Sequence, residues 1–242
     1  MPLMRFRCLV ALLLLPTPLA AQGPSLGIGA PQPPDHVTGL QVGVALGGIA
    51  AVSAIDRPLR RYLQAHRSPA LDEVAEQFRR MGTPVAYASA GLGLVGIGLI
   101  SGDHDVTRAG GRVILSEAVT FAGVELIKKV VGRARPDAGK GPWDIDPFHN
   151  KQVSFVSGHT ATAFALATTL SDDLHNAWAS VGLYTLAAGT AWSRLNDNRH
   201  WASDVLGGAM LGITTAKVID NRWELAGITA PRFLTDPPAP AP

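Results

Sequence analysis

One cysteine, Cys8, stands in a chain of 242 residues. No intramolecular disulfide can form. Cys8 also falls in a segment that reads as removed on export, which excludes thiol and cysteine–metal chemistry from the mature chain. Charge is the second shortage: 17% of residues are charged, against roughly 25% in ordinary soluble domains. That leans toward a membrane protein, or toward a soluble one with unusually buried helices. The formal net charge of +2 is too small to point to nucleic acid, and the basic residues are scattered among apolar segments. Alternation of apolar and polar residues is missing too, so no convincing strand is predicted.

What is present is apolar and helical. Arg5 and Arg7, the apolar run Cys8 to Leu15 and the small residues around Ala20 and Ala21 follow the order of a secretory signal. Eight apolar residues are too few to span a bilayer core of ~30 Å. The expected organisation is a leader at 1–21, a Pro/Gly-rich linker at 22–36, a helical domain at 37–220 and a C-terminal tail at 221–242. Long apolar segments at 37–55, 84–101, 110–131, 157–170, 177–192 and 201–219 carry a helical period. The polar stretch Asp56 to Met81 reads as an amphipathic helix lying alongside. The prediction is an all-α fold: a six-helix up-and-down bundle, membrane-embedded, with the site at one end. Frequent Gly and Ala suit close helix contacts in a bilayer, although the mean hydropathy of +0.17 is modest for six spans.

Polar residues gather at three helix ends. The first cluster, Lys128 to Pro136, ends the third long helix. Cations there complement the helix dipole, and a Glu125–Lys128 pair would be the bland outcome. The second, Ser154 to Phe164, opens the fourth: Ser157 is a natural N-cap, Gly158 leaves room, and free N–H groups at a helix start attract an anion. His159 then lies in the first turn. The third, SRLNDNRHWASD at 193–204, puts His200 and Asp204 one helical turn apart. A carboxylate on one imidazole nitrogen fixes the tautomer and leaves the other nitrogen as a nucleophile. Arg194 offers a planar cation suited to phosphate oxygens. In an up-and-down bundle all three ends share one side. Their contents (cations, an N–H cradle, two histidines and a carboxylate) suit phosphoryl transfer without a metal. Which histidine attacks stays open on these grounds.

Lys128, six residues, then Arg135-Pro136; Ser157-Gly158-His159; and Ser193-Arg194, five residues, His200, three residues, Asp204 resemble the three-part signature of the type 2 phosphatidic acid phosphatases. That superfamily includes bacterial secreted acid phosphatases and vanadium haloperoxidases. Val156 stands where the family usually has proline, which bears on loop geometry more than on chemistry. The resemblance implies that Lys128, Arg135 and Arg194, with Ser157 and the Gly158 N–H, hold the phosphate. It implies that His200 attacks phosphorus, Asp204 supports His200, and His159 protonates the leaving alcohol and later assists water. It implies no cofactor and no metal.

Two substrate classes remain open: a lipid phosphate, favoured by the apolar helices, and a soluble phosphomonoester, favoured by the leader and the modest hydropathy. A haloperoxidase is set aside because those enzymes, by the same resemblance, are generally much longer. The expected setting is export, in the inner membrane or the periplasm, with the pocket facing the periplasm and no nucleic-acid partner. The oligomeric state is left open. Positive charge conflicts with that placement: Arg57, Arg60, Arg61, Arg67, Arg79 and Arg80 lie on the pocket side, which the positive-inside rule would put in the cytoplasm.

Overall fold

The structure is a computed structural model and describes residues 33–149 and 153–230. The expected leader, most of the linker and the end of the tail lie outside the described residues.

Short polar side chains set most helix starts. The Thr38 hydroxyl accepts the Gln41 N–H while the Gln41 amide accepts the Thr38 N–H, a capping box that opens α1 (Gly39–Ser53). Ser68 caps α3 (Pro69–Met81) and Thr83 caps α4 (Pro84–Ser101), each followed by proline in the first helical position. Asp103 caps α5 (His104–Val131) and Asn176 caps α7 (Ala177–Asn196). Three helices start without a side-chain cap bond at the N-cap residue: α2 (Asp56–Ala65), α6 (Gly158–Leu174) and α8 (Ala202–Ile219). All three starts lie at the polar end described below.

The fold is all-α, as expected, but it has eight α-helices among the described residues rather than six. The polar stretch after α1 is two helices, because Ser68-Pro69 ends one and caps the next. Two strands also escape periodicity, at three residues each: β1 (Asp35–Val37) and β2 (Trp223–Leu225) pair in parallel. Thus the end of the expected linker and the start of the expected tail are joined.

Helix α6 is central, packed against α5, α7 and α8, while α4 lies on α5, α3 on α7 and α1 on α8. Its buried residues are small: Ala161, Ala163, Ala165 and Ala167 with Thr160, Thr168 and Thr169. Contact with α8 is closest at two glycines. A Cβ on Gly208 would sit 2.5 Å from the Ser157 carbonyl oxygen, and one on Gly212 would overlap the Ala161 carbonyl. Backbone therefore meets backbone, as in small-residue crossings. Val156 packs with Val124 and Ala161 under Phe155 and Leu211, so the residue replacing the expected proline contributes to the core.

Large apolar side chains lie outside. Leu40 is 78% exposed, Val85 76% and Ile100 89%. Helix α4 is long and apolar enough to cross a membrane, with 11% of that window buried inside the protein, and α1 with α2 passes the same test as a pair bent by 53°. Isolated exposed leucines are ordinary, but whole helices with outward apolar faces mark a surface meant for contact.

Candidate functional site

The three clusters meet. Lys128 sits in the last turn of α5, Arg135 just before a short 3-10 turn at Pro136–Ala138, Ser157 at the N-cap of α6, Arg194 in the last turn of α7, and His200 and Asp204 on either side of the α8 start. The Lys128 Nζ lies 3.6 Å from where a Gly158 Cβ would stand, which joins the first cluster to the second. The Ser157 N–H donates to the Asp204 carbonyl at 3.0 Å, which joins the second to the third. Burial first, and then the charges of Arg194, His200, Lys128 and Arg79, push the His159 pKa down to about 4.

Ser157 occupies the N-cap, but its hydroxyl does not cap. It accepts from the Thr160 hydroxyl at 2.9 Å instead, which leaves the first N–H groups of α6 facing the pocket. Gly158 has no side chain to cover them.

His200 is 6% exposed. Its Nδ1 lies 2.9 Å from the Ser154 carbonyl oxygen and 3.6 Å from Asp204 Oδ2. A carbonyl only accepts, so Nδ1 carries the proton and Nε2 is left with its lone pair. Burial lowers the His200 pKa, and Arg194 and Arg135 add to it against the opposing pull of Asp204. The ring is therefore neutral at neutral pH, the form a nucleophile needs. His159, by contrast, has no ring hydrogen bond among the described residues.

Asp204 is not the direct partner that the one-turn spacing predicts. Its Oδ2 accepts the Trp201 N–H at 2.8 Å and the Ser154 hydroxyl, and its Oδ1 accepts Arg133 at 2.6 Å. Burial alone would raise this carboxyl; His200, Arg133 and Ser154 outweigh it and hold the pKa below the usual value. Ser154 is the pivot, since its hydroxyl holds Asp204 and its carbonyl holds His200.

Arg194 is nearly buried, and its Nε has no hydrogen-bond partner among the described residues. Its Nη1 donates to Asp197 at 3.0 Å. Burial first, with Arg199, Arg79 and Arg135, presses its pKa down to about 10 against Asp197. The guanidinium stays cationic and gains from any anion placed before it. Lys128 does pair with Glu125, at 2.9 Å, so the bland partner and the pocket position coexist. Beside Arg194 opens a cleft of about 470 Å³ in which Arg67, Arg79 and Arg199 face Asp72, Glu76 and Asp197.

Sequence reasoning missed Arg133 and Asp56. Arg133 lies inside the first cluster, one residue past Gly132 and two before Arg135, yet its side chain turns inward to Asp56 and Asp204. The conformation of Gly132, with φ of 60° and the Asp146 carbonyl where a Cβ would be, sets that turn. A lone Asp at a helix start carried no signal for Asp56.

Residues 109–223 match the family model of the PAP2 superfamily. A lipid A 1-phosphatase from Porphyromonas gingivalis is 39% identical over 118 residues, 46% of this chain and 24% of that protein. The chain thus spans about a quarter of that relative's length. Among solved structures, LpxE from Aquifex aeolicus matches with a TM-score of 0.51 at 23% identity, over 68% of this chain and 94% of that one. A transmembrane PAP2-type phosphatidylglycerolphosphate phosphatase from Bacillus subtilis gives a TM-score of 0.49 at 22% identity, over 74% and 93%.

Proposed function

We propose that this chain, whose residues 109–223 match the family model of the PAP2 superfamily, hydrolyses the phosphate esters or pyrophosphates of lipids through a phosphohistidine. The observation that carries this is the His200 ring: Nδ1 is spent on the Ser154 carbonyl, so Nε2 points its lone pair elsewhere, at the end of the bundle where Lys128, Arg135, Arg194 and the α6 N-terminus converge. Nε2 forms a bond to phosphorus as the ester P–O bond breaks, and His159 gives its proton to the departing oxygen. Water then attacks phosphorus, His159 takes the proton, and the N–P bond breaks. Lys128, Arg135, Arg194 and the N–H groups of Gly158 and His159 spread the charge of the phosphoryl oxygens.

A lipid is favoured over a soluble ester by the outward apolar faces of α1 and α4, which would lie in the bilayer and set the pocket at headgroup level. The pocket is assigned to the periplasmic side. The arginines of α2 and α3 speak less against this than their number suggests. Arg60 donates to Asn198 at 2.7 Å, Arg67 pairs with Asp72 and Arg80 with Glu76, so the fold itself calls for them.

The test is phosphate release by the purified chain in detergent from lipid monophosphates, lipid pyrophosphates and water-soluble monoesters, with and without EDTA. Acid-labile label from a ³²P substrate should be trapped on His200, and chelation should not reduce turnover. Turnover confined to soluble esters would favour the broad acid phosphatase instead. Absence of any histidine-linked label in rapid quench would defeat the covalent route.

A further outcome concerns His159. Its pKa of about 4 is that of the pocket without an anion. It lies below the ordinary value, so the ring is neutral above pH 5 and cannot serve as an acid. A bound phosphate or vanadate opposes the same cations and must raise it. Imidazole NMR of the chain should show the His159 titration moving upward on adding vanadate. A titration that stays put would remove His159 as the acid.

A further inference from the structure

Arg133 belongs to none of the roles above, yet it is the most heavily engaged side chain near His200. Its guanidinium donates to the Pro142 carbonyl at 2.6 Å, Ser203 Oγ at 2.7 Å, Asp204 Oδ1 at 2.6 Å and Asp56 Oδ2 at 2.7 Å. The side chains of Arg133 and Asp56 are 5% and 0% exposed. Asp56 is held in turn by the Ser203 N–H at 3.0 Å and the Ser203 hydroxyl at 2.6 Å. That hydroxyl gives its proton to Asp56 and its lone pair to Arg133, so every group has one consistent role. Asp56 starts α2, far from the site in sequence, and reaches it only through the fold.

Resting on the phosphatase reading, we propose that Arg133, anchored by Asp56, is a positioning residue for His200. The main chain of Arg133 accepts the Ser154 N–H at 2.8 Å, and the Ser154 carbonyl is what holds His200 Nδ1. Its side chain holds Asp204 Oδ1, the carboxylate beside the same nitrogen. One residue thus places both acceptors that face the His200 proton. A buried ion triad is a poor source of stability, since well-packed apolar groups do as well. Its use here is orientation and charge. Arg133 divides its single positive charge between Asp204 and Asp56, which keeps the Asp204 carboxylate from binding the His200 proton too tightly while leaving it able to support the ring when Nε2 bonds to phosphorus.

The experiment uses the full chain in detergent with Arg133→Lys and Asp56→Asn. A lysine ammonium cannot reach four acceptors set around a planar fork. Arg133→Lys should lower kcat about 10- to 100-fold, the range seen when supporting partners of a reactive group are removed, with KM and vanadate inhibition within about two-fold because Lys128, Arg135 and Arg194 are untouched. Asp56→Asn keeps the shape and should give a smaller loss of the same kind. Independently of turnover, ¹⁵N signals of the His200 ring, which faces Asp204, Arg194, Arg135 and His159, should show an altered tautomer balance and titration in Arg133→Lys. Unchanged His200 signals, or a kcat loss no greater than the loss of folded protein by thermal melting, overturn the proposal. Failure of the unaltered chain to release phosphate would overturn the phosphatase reading instead, and the His200 signals would still decide the role of Arg133.

Discussion

His200→Ala should lower phosphate release by on the order of 10⁴-fold or more, the scale seen when a covalent nucleophile is removed. That corresponds to about 5.5 kcal/mol of lost transition-state stabilisation. The loss should fall on kcat. Lys128, Arg135 and Arg194 come from other elements, so vanadate or phosphate should still bind and still raise the thermal midpoint. No ³²P should remain on the protein after quench. The side chain is buried and single, so the variant leaves a small cavity and no unpaired charge; the Ser154 carbonyl it exposes can take water from the pocket. Near-normal turnover would sink the assignment of the nucleophile, and His159 would take its place as the candidate.

The second large effect is structural. Gly212→Ala sets two terms against each other. Alanine is favoured over glycine inside a helix by up to about 1 kcal/mol. Against it stands the overlap of the new methyl with the Ala161 carbonyl. Backbone oxygen cannot rotate away as a side chain can, so α6 and α8 must part. Overpacking of this kind costs about 1–3 kcal/mol and sometimes more. The clash should win. The damage would reach the chemistry, since α6 carries Ser157 to His159 and α8 starts beside His200. A lower melting temperature and a fall in kcat are expected together. Gly182→Ala on α7, where nothing lies within 4 Å of the added carbon, is the control and should be neutral or slightly stabilising. Equal melting temperatures for the two variants would show that the α6–α8 contact is looser than the structure has it.

The bundle was legible because apolar segments with caps are a local signal: Thr38, Ser68, Thr83, Asp103 and Asn176 each stand one residue before a helix. The convergence of Lys128, Ser157–His159 and Arg194–Asp204 was legible because up-and-down connectivity places alternate ends together. Residues between the named positions were opaque. Asn196 donates to Asp72 at 2.9 Å, Asn198 takes a φ of 58° and accepts Arg60, and Arg199 donates to Asp137 at 2.6 Å. Their partners are 62 to 138 positions away, and no spacing rule reaches that far. Trp201 is 2% exposed, with the guanidinium groups of Arg60 and Arg133 each 5.8 Å from its ring. The direct His200–Asp204 bond was expected from i to i+4 geometry. The structure routes it through Ser154, because Asp204 Oδ2, the oxygen nearest Nδ1, already accepts the Trp201 N–H and the Ser154 hydroxyl.

The small parallel pairing of β1 with β2 fixes a parity. It brings the chain's way into α1 and its way out of α8 side by side, and α8 leads there directly away from His200. The β1–β2 pair therefore lies at the end of the bundle opposite the pocket. Should the bundle cross a bilayer, the β1–β2 pair lies in one compartment and the pocket opens into the other. An epitope inserted beside β2 locates the catalytic face.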